Sequence, residues 1–175
     1  GVELRIMADG VQVPQGEVGV IEVRGPNVFA GYWQMPEKTR DELCEDGWFI
    51  TGDLATEDAE GYVTIVGRAK DLVITGGYNV YPKEVELLLD EVDGVLESAV
   101  IGLPHPDFGE AVFAVLAARK GADLSADAAL AAIRDKLARF KQPKAAVVVD
   151  DLPRNTMGKV QKNVLRTTYA ELYQS

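Results

Sequence analysis

Hydrophobic and polar positions follow two different rhythms along this chain. Up to about residue 70 the apolar residues fall in short runs, VELRIM, VQV, VGVIEVRG and YVTIVGR, punctuated by Gly, Pro and Asp. That is the signature of short strands joined by tight turns. Asp9-Gly10, between the first two runs, is a strong hairpin signal. These features predict a compact β-rich body, barrel-like or sandwich-like, over residues 1–70. After Asp71 the rhythm changes. Pro82 suits a first helical turn, and Val85, Leu88, Leu89 and Val92 recur at helical spacing. AVIGL, AVFAVLAA and KAAVVVD read as three strands, the second preceded by the turn-rich PHPDFGE. SADAALAAIRDKLARF predicts a single helix capped by Ser125, with Leu130, Ile133, Leu137 and Phe140 on one face. Residues 163–172 predict a terminal helix. The fold class is therefore α+β: a β-rich body, then a small three-stranded α+β domain over 71–175. The change falls within GRAKD, residues 67–71, with no Ser/Pro-rich linker. A junction that abrupt predicts a hinge near Asp71, where few residues absorb the change in dihedral angles.

Composition narrows the chemistry. The chain has 175 residues, 47% of them apolar, enough for one sizeable core or two small ones. No apolar run approaches the roughly 20 residues that span a membrane. Cys44 is the only cysteine and His105 the only histidine, which excludes an internal disulfide, a cysteine-based zinc site and a catalytic His pair. A reducing cytoplasm fits this usage, and no metal site is expected within the chain. Chemistry here falls to Asp, Glu, Lys, Arg, hydroxyls and backbone, groups suited to positioning and electrostatic stabilisation. The net charge of −10 argues against a general nucleic-acid or anionic-membrane surface. Residues 134–166 run the other way, with nine Lys and Arg against three Asp. That segment is either a solvated face or a surface for an anionic ligand.

Three segments stand out: GWFITGDL (47–54), GRAKDLVITGGYNVYPKEVE (67–86) and PRNTMGKVQKN (153–163). Alone, each has an ordinary explanation: a turn at Thr51-Gly52-Asp53, a surface cation at Arg68, an exposed loop tip at Gly158-Lys159. Gly158-Lys159 is not a Walker loop, because Pro153 stands at the first glycine position and Val160 where Ser or Thr binds magnesium.

In this order and spacing, the three segments resemble the AMP-forming adenylating superfamily, which includes acyl-CoA synthetases, peptide-synthetase adenylation domains and firefly-type luciferases. The resemblance covers essentially the whole chain. It implies that Asp53 and Arg68 bind the ribose of ATP and AMP, and that Asp71 is the hinge of a mobile C-terminal lid. It implies that Lys159 is the catalytic lysine of adenylation, and that Gly76, Gly77 and Tyr78 form the loop used in the thioester step with CoA. Ile74 stands where many relatives have lysine, so that lysine's role does not carry over. His105, Trp33 and Trp48 are read as structural residues. GGYNVYPKEVE followed by PRNTMGKVQKN looks most like malonyl-CoA synthetases and related bacterial carboxylate:CoA ligases. The resemblance thus implies malonate, ATP and CoA as substrates, and a cytoplasmic enzyme.

The family's phosphate loop and acyl pocket do not occur in this sequence. The chain is accordingly expected to be a part of a longer enzyme and inactive alone, with magnesium bound mainly by the rest. Two rival functions stand beside this one. They are an adenylation domain that loads a carrier protein, and a non-catalytic fragment whose Lys159 is the substrate of a lysine acetyltransferase.

Overall fold

The computed structural model describes residues 1–173. The chain divides into two compact units, Gly1–Lys70 and Asp71 onward. In the first, β1 (Glu3–Ala8), β2 (Val11–Gln12), β3 (Gly19–Arg24), β4 (Phe49–Glu57) and β5 (Val63–Arg68) form one antiparallel sheet in the order β2-β1-β3-β4-β5. The β-rich expectation holds, but as an open sheet. β2 and β5 are its edges, and no ladder among the described residues closes it into a barrel. Asp9 and Gly10 have φ of 50° and 78°, the geometry of a two-residue primed turn that matches strand twist. Ile6, Ile21 and Ala55 form the core, flanked by Val13, Val23 and Val63. Trp48 is buried, with the Arg5 and Arg24 guanidinium carbons 4.1 and 4.7 Å from its ring centroid. Trp33 departs from the packing expectation: it is 86% exposed. A short helix, α1 (Pro36–Glu42), follows it.

The second unit contains β6 (Val73–Thr75), β7 (Tyr78–Val80), α2 (Pro82–Asp90), β8 (Val95–His105), β9 (Gly109–Ala118), α3 (Ala126–Ile133), β10 (Ala145–Val149) and α4 (Lys162–Thr168). β9 is the centre of its sheet. It pairs with β8 antiparallel over the full hairpin and with β10 parallel, and meets β6 at Thr75–Gly109. The three expected strands are present, and the short β6–β7 hairpin extends their sheet to five strands.

Both faces of this sheet are covered. Val100, Val112, Ala114 and Leu116 pack against Val85 and Leu89 of α2 and Ala129 and Ile133 of α3. The alternate residues Ala99, Ile101, Leu103, Phe113 and Val115 pack against Leu152 and Leu165 of α4. Strands buried on both faces lose polar alternation, which is why β8 and β9 read as near-continuous apolar runs. A Cβ at Gly102 would lie 2.6 Å from Glu110 Oε1, so a larger residue there would displace the Glu110 carboxylate.

Two helical expectations change. The segment after Ser125 is not one helix to Phe140. α3 stops at Ile133, and two separate 3₁₀ turns follow, with Leu137 extended between them. The broken stretch recovers its hydrogen bonds through Gln142, whose side-chain amide donates to Arg134 O (2.9 Å) and Leu137 O (3.1 Å). Leu137 is still buried and Phe140 still packs on the same core. The last helix begins one residue earlier than expected and ends at Thr168, short of Leu172.

Candidate functional site

Asp53 and Arg68 are direct cross-strand partners on β4 and β5, and Arg68 Nε lies 2.7 Å from Asp53 Oδ1. Opposite charges on facing strand positions attract and fix each other's rotamers. Thr51 braces the approach. Its hydroxyl donates to Ile21 O (2.9 Å) and accepts from Asp53 N–H (3.1 Å). Gly52 has φ of 73°, a left-handed turn that glycine adopts without cost. The Asp53 side chain retains 25% and the Arg68 side chain 51% of its exposure, so both remain open to solvent and to a ligand.

Asp71 closes a 3₁₀ turn over Ala69–Asp71, at the first position of the second unit. Its carboxylate is not idle: Oδ1 accepts from Arg166 Nη2 of α4 at 2.8 Å. This pair ties the start of the second unit to its last helix.

Gly76 and Gly77 form the two-residue turn of the β6–β7 hairpin, with φ of 56° and 84°. Both values lie in the region L side chains avoid. Gly76 N–H donates to Phe108 O (2.9 Å) at the β8–β9 tip, and Ile74 N–H donates to the Glu110 carboxylate (2.8 Å). Tyr78 stacks on Phe140, ring centroids 4.8 Å apart. Nothing lies within 4 Å of where a Gly77 Cβ would stand, so the turn presents bare backbone.

Lys159 sits in a tight loop. Asn155 N–H donates to Lys159 O (2.9 Å), Gly158 N–H to Asn155 O (2.9 Å), and Gln161 N–H to Pro153 O (2.7 Å). The Asn155 side-chain oxygen accepts from both Met157 N–H (3.0 Å) and Lys159 N–H (2.9 Å), and Gly158 has φ of 77°. Lys159 is exposed, and among the described residues its ammonium makes no ion pair. The structure thus joins Asp53 to Arg68 in the first unit. It places Lys159 and the Gly76–Tyr78 turn in the second, each held by its own partners.

The remaining single residues are structural. His105 Nδ1 accepts from Asp107 N–H (3.1 Å), and its ring packs between Phe108 and Tyr173. Burial, with the neighbouring charges of Glu22 and Asp46, pushes the Cys44 thiol up, so it is a poor nucleophile at neutral pH. Among the described residues no three His, Cys, Asp or Glu side chains converge to hold a metal ion.

Residues 84–159 match the AMP-binding enzyme C-terminal domain. A Rhodococcus jostii CoA ligase acting on a methyl-dioxo-octahydroindenyl propanoate is 50% identical over 90% of this chain and 30% of its own length. Feruloyl-CoA synthase of an Amycolatopsis species is 46% identical over 91% of this chain and 32% of its own. The ATP-bound crystal structure of MatB from Rhodopseudomonas palustris superposes with a TM-score of 0.92 at 58% identity, covering 99% of this chain and 35% of that one. Residues 84–159 belong to the AMP-binding enzyme C-terminal domain family. The chain spans about a third of the length of the relatives and the solved structure it matches.

Sequence reasoning missed the groups that hold the superfamily motifs in place: Glu97 and Arg154, Asn155, Glu110, and the buried pair Glu86–Lys162. Arg154 and Asn155 lie inside PRNTMGK, but nothing in the sequence connects Glu97 to them.

Proposed function

We propose that this chain is the C-terminal part of an ATP-dependent, AMP-forming acyl-CoA ligase of the cytoplasm, with malonate as its acid. The observation that carries this is the pairing, within one unit, of an exposed lysine that makes no ion pair among the described residues with a bare diglycine turn. A carboxylate attacking the α-phosphorus of ATP must approach a polyanion, and charge builds as pyrophosphate leaves. Lys159, with no ion pair among the described residues, supplies the cation between the two. Asp53 accepts hydrogen bonds from the ribose hydroxyls, and the Arg68 fork orients the same sugar. In the second step the CoA sulfur attacks the acyl carbon and AMP leaves. The Gly76–Gly77 turn has no side chains to block a narrow pantetheine arm. Asp71, at the first residue of the second unit, is the hinge by which that unit exchanges Lys159 for the diglycine turn. The exposed Lys159 amine is also open to a lysine acetyltransferase, whose product would lack the charge.

The choice of malonate rests on MatB, a malonyl-CoA synthetase, whereas the curated relatives act on varied acids. The test is a panel assay with full-length enzyme: malonate, ferulate and medium-chain acids, each offered with CoA or with a phosphopantetheinyl carrier protein. Malonyl-CoA is the expected main product. Preference for another acid removes malonate alone, and transfer to the carrier and not to CoA removes the CoA-ligase reading.

A further inference from the structure

The loop that carries Lys159 is exposed and short, yet one side chain ties it to the sheet. Arg154 Nη1 donates to Gly158 O at 2.9 Å, on the residue directly before Lys159. Nη2 of the same guanidinium pairs with the Glu97 carboxylate of β8, and Nε lies 4.0 Å from Asp151. Arg154 and Val160 also face each other in an isolated antiparallel bridge that closes the loop. On the other side of the contact, the β8–β9 ladder is interrupted by a bulge between Val95 and Glu97. Bulges of this kind re-aim a side chain relative to a regular strand.

From this geometry we infer that Arg154 is a positioning residue, a fork that latches the Lys159 loop to Glu97 of β8 and so fixes where the Lys159 ammonium points. The inference rests on the role proposed above for Lys159 and adds to it. A long flexible lysine on an unanchored loop would lose orientation each time the loop frayed. Placement errors of about 1 Å cost up to about 10²-fold in rate. The planar guanidinium suits the task because its donors diverge at fixed angles, one to a carbonyl and one to a carboxylate. A lysine at 154 has no such fork. The Asn155 side chain shapes the loop internally, and the Arg154 fork joins its Gly158 carbonyl to Glu97 of β8.

The Arg154 and Glu97 side chains are 38% and 34% exposed, so removing one strands no buried charge and the fold survives substitution. In full-length enzyme, Arg154→Gln is expected to slow acyl-adenylate formation about tenfold. Thioester formation from supplied acyl-adenylate and CoA should stay at the wild-type rate. Amide hydrogen exchange over residues 155–160 should speed up in the same variant. Glu97→Gln should show the same pattern more weakly, and Arg154→Lys should fail to restore the rate. If Arg154 acts through Lys159, adding Arg154→Gln to Lys159→Ala costs nothing further in adenylation. A tenfold cost that persists in the Lys159→Ala background, or unchanged exchange over 155–160, overturns the inference. Normal adenylation by Lys159→Ala alone is instead a failure of the Lys159 role itself, recognisable because it needs no change at Arg154. The exchange measurement then still decides whether the latch orders the loop.

Discussion

Lys159→Ala in the full-length enzyme is expected to slow acyl-adenylate formation by about 10²–10³-fold, the scale for losing one electrostatic contact to a transition state. The loss should be confined to the first half-reaction. Lys159 sits at an exposed loop with no ion-pair partner among the described residues, so its truncation breaks no ion pair there. Starting from acyl-adenylate and CoA, the same variant should form thioester at close to the wild-type rate, because the proposal assigns that step to the Gly76–Gly77 turn. Acetylation of Lys159 removes the same charge and should reproduce the split. Equal losses in both half-reactions would show that the lysine supports the fold and not the chemistry.

Glu86→Ala should instead damage the fold. The Glu86 carboxylate is 9% exposed and the Lys162 side chain 17%, with Oε1 2.6 Å from Nζ. The same oxygen accepts from Val100 N–H at 2.9 Å, so one group satisfies both a strand donor and a cation. It ties α2 to β8 and to the start of α4, two residues beyond Val160. Truncating Glu86 leaves the largely enclosed Lys162 charge uncompensated, at a cost of about 3 kcal/mol, the lower end for a fully buried pair. The double replacement Glu86→Met with Lys162→Met should recover only the part due to the stranded charge, because the Val100 N–H still loses its acceptor. Denaturant unfolding of the full-length variants measures both. A loss below about 1 kcal/mol for Glu86→Ala would mean that water reaches Lys162 freely.

What the sequence reveals of this fold follows burial. β8 and β9 are legible because a sheet covered on both faces demands unbroken apolar runs. β6 and β7 are not, since three residues on each side of Gly76-Gly77 carry too little pattern to separate a hairpin from a loop. β4 is obscured by Gly52, whose positive φ sits inside the strand. The region after Ile133 misleads for the opposite reason. Leu137 and Phe140 keep helical spacing and keep their place on the core, while the backbone between them is extended and bridged by Gln142.

The candidate site divides in a similar way. Motif resemblance selects Asp53, Arg68, Asp71, Gly76, Gly77, Tyr78 and Lys159, but not what supports them. Asp71 illustrates the limit. Read as a backbone hinge, it also holds Arg166, 95 residues away. Arg154 and Glu97 stand 57 residues apart, and no local pattern links them. Pairings at that separation are fixed by the tertiary fold, and a single sequence carries no record of them.

The proposed function requires the whole enzyme to activate its acid as an acyl-adenylate before CoA takes part. It is tested most directly by isotope exchange between labelled pyrophosphate and ATP in full-length enzyme without CoA. The expected result is exchange that requires malonate, proceeds without CoA and falls about 10²–10³-fold in Lys159→Ala. Absence of acid-dependent exchange, or formation of ADP and phosphate in place of AMP and pyrophosphate, would contradict the account.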